Sequence, residues 1–113
     1  MAAIAWNNIE TDADLQKALE ESHDRVVLIF KHSTRCSISA FALRNFERAY
    51  GYEQESVSPY FLDLIAFRSI SNRIADELNV AHQSPQLIVV KNGKAVENTS
   101  HERIDAADVK NWI

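Results

Sequence analysis

Val26-Val27-Leu28-Ile29-Phe30, then Lys31-His32-Ser33-Thr34-Arg35, then Cys36-Ser37-Ile38-Ser39: on this stretch the fold turns. The unbroken β-branched and apolar run from Val26 to Phe30 fits a strand buried on both faces, as parallel strands are. The polar residues after it read as a connection. Beyond Cys36 the period changes to that of a helix. Ile38, Phe41, Ala42, Phe46, Ala49 and Tyr50 share one apolar face, with Asn45 the single miss. That spacing predicts a helix of about four turns, ending near Gly51. Cys36, the only cysteine of the chain, lies where the strand hands over to the helix.

Upstream, Thr11-Asp12-Ala13-Asp14 reads as a capping box, with Leu15, Ala18 and Leu19 at helical spacing behind it and a stop near Ser22-His23-Asp24. A weak strand is expected around Trp6 to Ile9. Downstream, Tyr60 to Ile65 reads as a short strand, and Ile70, Ile74 and Leu78 mark a helix stopped around Asn79. Gln86 to Lys91 and Lys94 to Thr99 flank Asn92-Gly93, the residue pair that a type I′ hairpin turn requires. A last helix opens at Asp105, with Ile104 and Val109 placed as a hydrophobic staple. Trp112 and Ile113 are expected to fold back onto the core. The order is β-α-β-α-β-α-β-β-α, which argues for a mixed sheet with helices on both faces.

The bulk properties narrow the function. The 113 residues fit one domain, residues 1–113. With 46% hydrophobic and 25% charged residues the chain can build a single core. A net charge of −4 and no basic stripe argue against nucleic acid as a partner. The start, Met1-Ala2-Ala3-Ile4-Ala5-Trp6, does not read as a signal peptide, and the apolar runs are too short to cross a bilayer. A soluble, cytoplasmic protein that makes no use of a membrane is expected. One cysteine forms neither an internal disulfide nor a cysteine-built zinc site, and the four histidines have no ligand spacing, so no metal is expected.

The element order, with a cysteine opening the helix after the second strand, resembles the thioredoxin fold: α/β, a central mixed β-sheet flanked by helices on both faces. Ser84-Pro85-Gln86 stands where that fold carries a cis-proline before its hairpin. The usual C-x-x-C becomes Cys36-Ser37-Ile38-Ser39, and the buried acid that many thioredoxins carry six positions before the nucleophile is Phe30. The chain resembles the monothiol bacilliredoxin-like group, the thioredoxin-like proteins of the bacillithiol system. The resemblance is carried by Thr34-Arg35-Cys36-Ser37-Ile38-Ser39, by His82-Gln83-Ser84-Pro85-Gln86 and by Ser100-His101.

The resemblance implies a thiol-disulfide oxidoreductase in which Cys36 takes a low-molecular-weight thiol from a protein mixed disulfide. It implies that the small thiol is bacillithiol, a sugar-malate conjugate of cysteine, acting as co-substrate with no bound cofactor. The partners are then S-thiolated proteins and the small thiol, and a monomer is expected. A helix N-terminus favours an anion, which suits a thiolate at Cys36. Ile38 and Ser39 N–H groups near the sulfur, the Ser39 hydroxyl, and positive charge from Arg35 and His32 would add to this. The Ser84 backbone beside Pro85 is placed to pair with an extended substrate. Thr34, Arg35, His82 and Gln86 are the candidates for gripping the ligand.

Blander readings compete. A lone cysteine is often a core residue, but Cys36 sits in a polar run. His32 and His82 are either solvated or line the site, His101 ends the last strand, and His23 is a surface residue. Ser39 is either a first-turn helix residue or a partner of the thiolate. Two other functions remain open: a metal-cluster carrier like some monothiol glutaredoxins, and a non-catalytic binding module on the same scaffold.

Overall fold

A computed structural model describes residues 4–113; the reading of Met1-Ala2-Ala3 lies outside them. The elements are β1 (Asn7–Asn8), α1 (Asp12–Glu21), β2 (Val26–His32), α2 (Ser37–Ala49), β3 (Val57–Asp63), α3 (Arg68–Leu78), β4 (Gln86–Lys91) and β5 (Lys94–Ser100). Two 3₁₀ segments, His101–Arg103 and Ala106–Trp112, follow. The sheet order is β1-β3-β2-β4-β5. β1, β3 and β2 run parallel, and β4 and β5 are antiparallel to their neighbours.

β2 is the centre of the molecule, and every one of its residues is buried. Its side chains alternate between two cores. Val27 and Ile29 pack with Leu15 and Ala18 of α1 and Ile70, Ile74 and Leu78 of α3. Val26, Leu28 and Phe30 pack on the other face with Ala42 and Phe46 of α2 and Val109 near the C-terminus. The strand is two residues longer than its apolar run: Lys31 and His32 belong to it and are buried. Their polarity masked the continuing alternation.

The capping box forms as read. Thr11 accepts from Asp14 N–H at 3.1 Å, and the Asp14 carboxylate accepts from Thr11 N–H at 3.2 Å. α3 ends at Asn79, whose φ of 53° is the left-handed cap. The hairpin turn has φ of 53° at Asn92 and 76° at Gly93. Its tip is tied back to the end of α1: Ser22 C=O accepts from Asn92 N–H, and Ser22 Oγ accepts from Gly93 N–H, both at 2.8 Å.

Four expectations need correction. β3 starts at Val57 and runs through Pro59 instead of beginning at Tyr60. Phe61 C=O accepts from Ile9 N–H, so the odd-numbered residues of β3 direct their backbone toward β1. The N–H that Pro59 lacks would point to that side, where β1 pairs only from Asn7. The apolar face of α2 is rotated: Ser39, Ala42 and Phe46 turn inward, whereas Ile38 and Phe41 are 58% and 63% exposed and Ala49 is exposed. The last segment is 3₁₀, not α; it is capped by Asp105, whose carboxylate accepts from Ala107 N–H. Ile104, Val109 and Trp112 reach the core as expected, but Ile113 is exposed. Among the described residues no helix is long and apolar enough to cross a membrane.

Candidate functional site

Cys36 is the N-cap residue of α2, in extended conformation and half-buried. Its N–H donates to Ser33 C=O at 3.2 Å, and its C=O accepts from Ala40 N–H at 3.1 Å. The thiol makes no capping hydrogen bond, so its sulfur is not engaged by the Ile38 or Ser39 N–H as the sequence suggested. The first turn of α2 carries no acidic residue to oppose an anion.

Ser39 is fully buried beneath this turn. Its Oγ accepts from Ser33 N–H at 3.0 Å and lies 2.7 Å from His32 Nδ1. The hydroxyl is thus turned to the end of β2 instead of the Cys36 sulfur. His32, itself buried, is held below its ordinary pKa chiefly by burial, with Asp63 and Glu47 pulling the other way. It is a neutral partner of Ser39 at neutral pH and supplies no positive charge to the thiol. Thr34 and Arg35 are exposed on the connecting turn.

The second group enters from β4. The Ser84–Pro85 bond is cis, and Pro85 is buried while Ser84 is half-buried. Pro85 C=O accepts from His101 N–H, which fixes the Ser100–His101 bend against the loop. His101 therefore opens a 3₁₀ turn, with φ of 56°, instead of ending β5. Gln86 is fully buried and pairs in register with Lys31 of β2. Its amide donates to Ala81 C=O at 3.1 Å, and its Oε1 has no partner among the described residues. The Ser84 hydroxyl is likewise unpartnered. His82 is exposed, but its Nδ1 turns inward, 3.4 Å from Lys31 Nζ and 3.5 Å from Ser71 Oγ.

The candidates thus form two groups: Thr34, Arg35, Cys36 and Ser39 where β2 meets α2, and His82, Ser84, Pro85 and Gln86 where the chain enters β4. The β2–β4 pairing joins them at one end of the sheet. Sequence reasoning missed Lys31, a fully buried lysine that donates to Ser71 C=O at 3.1 Å. Burial lowers its pKa to about 8. The available signal was its parity with Val27 and Ile29, which places it on the same face of the strand. On the opposite flank Ile38, Phe41, Asn45, His101 and Ile104 line a groove of about 140 Å³.

Comparisons with known proteins bear on the family and the fold. Residues 7–109 match the family described as Monothiol bacilliredoxin BrxC. A structure described, provisionally, as an oxidoreductase with a thioredoxin fold is 31% identical, with a TM-score of 0.78, over 92% of this chain and 89% of its own. Thioredoxin from Malassezia sympodialis superposes at a TM-score of 0.74 with 16% identity, covering 98% of this chain and 90% of that one. Fasciola hepatica thioredoxin gives 0.68 at 19% identity, with 93% of each chain covered. These last two share the fold.

Proposed function

This chain belongs to the monothiol bacilliredoxin family, and from that premise we propose that it removes a low-molecular-weight thiol, bacillithiol, from protein mixed disulfides. Family and fold support thiol redox chemistry in general. The observation that carries the finer reading is the lone, half-exposed Cys36 at the N-terminus of α2, with Ser39 in place of a second cysteine and already engaged by His32 and Ser33.

The chemistry needs one sulfur. Cys36 thiolate attacks the small-thiol sulfur of a mixed disulfide. A Cys36–small-thiol disulfide forms, the original disulfide breaks, and the protein leaves as a thiolate that takes up a proton. A second small-thiol molecule attacks as its thiolate, releases Cys36 thiolate and departs as the symmetrical disulfide. The N-terminal end of the α2 dipole, with no acidic residue in the first turn to oppose it, favours each anionic stage at Cys36. Arg35 and Thr34 flank the thiol on the exposed turn, and the Ser84 backbone offers a strand edge to the substrate.

The test is a mass spectrum of the protein after exposure to a peptide–bacillithiol mixed disulfide. The expected product is one bacillithiol adduct at Cys36 with release of the free peptide thiol, and neither in Cys36→Ser. Peptide adducts at Cys36, or no adduct, would overturn the reading.

A further inference from the structure

Positive charge gathers on the α3 side of the site, outside the ion pairs found among the described residues. Lys31 is fully buried, and its Nζ meets only Ser71 C=O and the His82 ring. Arg68 is the first residue of α3 and is exposed. Arg68 stands one turn before Ser71, whose Oγ lies 3.5 Å from His82 Nδ1, and burial, then Lys31, then Arg68 hold the His82 imidazole below its ordinary pKa. The ion pairs among the described residues use Arg25 and Arg73, so neither Lys31 nor Arg68 is neutralised by one. α3 adds its own N-terminus, with no side-chain cap and no acidic residue in its first turn. Asp63, which precedes that turn, directs Oδ1 to the N–H groups of Ile65 and Ala66.

A second, independent observation lies beside the charges. Gln86 is fully buried, faces the same side of the sheet as its register partner Lys31, and leaves Oε1 without a donor. A buried acceptor left unmade is costly, and a native fold retains few of them. Buried cations are also costly unless an anion compensates them. Both deficits occur under the loop from Ala81 to Pro85, at the sheet end that carries Cys36.

We propose that Lys31, Arg68 and His82 form a carboxylate subsite for the small thiol, which seats an acidic arm on the α3 flank while its sulfur meets Cys36. This rests on the exchange reaction proposed above and specifies how the small thiol is selected. Arg68 and the His82 Nε2–H make the direct contacts. Lys31 acts from behind as a poorly screened charge, with the Lys31 ammonium keeping His82 Nδ1 in the acceptor role. Gln86 Oε1 takes a hydrogen bond from a hydroxyl or amide of the same ligand, or from a water it carries in. The acidic arm of bacillithiol, its malate, has this chemistry.

The test compares two mixed disulfides of one peptide that has no acidic residue. One carries bacillithiol, and the other carries cysteinyl-glucosamine, the same thiol and sugar without malate. The intact protein should react about tenfold faster with the malate-bearing substrate, the size expected of one charge-assisted hydrogen bond. That preference should fall several-fold in both Arg68→Gln and Lys31→Met and shrink with added salt. Arg68 is exposed, so its variant reads the subsite without disturbing the core. An equal rate for the two substrates in the intact protein, or a preference that survives both substitutions in folded variants, would overturn the subsite while leaving the exchange reaction standing. No reaction of Cys36 with either substrate would overturn both.

Discussion

At the scale of single residues, Ser39 and Lys31 carry most of the meaning. Ser39 stands three residues after Cys36, and its hydroxyl serves the protein interior, accepting from Ser33 N–H and pairing with His32 Nδ1. It ties the turn that bears Cys36 to the end of β2. Ser39→Ala would leave a buried backbone N–H and a buried ring nitrogen unpaired. It should destabilise the protein by about 1–3 kcal/mol in urea titrations, with an unchanged dependence on denaturant. A change below about 0.5 kcal/mol would place the hydroxyl among dispensable surface groups. Cys36 and its helix mouth were legible in the sequence because a change of period marks a boundary. The partners of Ser39 were not, since a helix position and a strand end seven residues apart meet only through the turn between them.

Among the elements, the contrast between the hairpin and α2 shows where local rules suffice. Asn92-Gly93 could be read directly because positive φ at both positions is a local demand, and the structure meets it. An added Cβ at Gly93 would meet His23 only at ordinary contact distance, 3.6 Å. Gly93→Ala should therefore cost the backbone strain alone, about 1–2 kcal/mol, read as a lowered Tm. A neutral result would mean that the turn relaxes away from its observed geometry. On α2 the pattern gave the helix but misplaced its face. Hydrophobicity favoured Ile38 and Phe41 as core beside Ala42 and Phe46; packing keeps Ala42 and Phe46 inward, adds Ser39, and leaves Ile38 and Phe41 outside. The miss at Asn45 was the marker of the outer ridge, which runs along Ile38, Phe41 and Asn45. β3 was misjudged for a related reason: Pro59 argues against a central strand only where its missing N–H has a neighbour to serve.

For the whole molecule, the two-cored sheet makes stability depend on one buried cation. Lys31 ionises at about 8 in the folded protein against an ordinary 10.5. Below pH 8 both folded and unfolded chains carry the proton. Above it the unfolded chain binds a proton that the native one lacks, so stability rises with pH, by at most ~1.4 kcal/mol per unit. Tyr50, pushed up to about 12, and Tyr60, also raised, act in the opposite sense only above about pH 10. Denaturation measured from about pH 7.5 to 9.5 should show stability increasing in the intact protein and level in Lys31→Met. A parallel rise in both would assign the effect elsewhere. Removing a buried, unpaired charge should also leave the variant at least as stable near neutrality.

The placement of β4 has a consequence for how the protein is made. β4 is a central strand drawn from late in the chain, between β2 and β5. In a chain cut before Gln86, β2 and β3 can pair, but the other edge of β2 has nothing to pair with. Such a chain carries the free Cys36 thiol near an open apolar edge, without the Ser84–Gln86 segment that completes its surroundings. The surroundings of the thiol are thus completed only when Gln86–Lys91 pairs with β2, and chains ending before Gln86 should be the ones that chaperones hold.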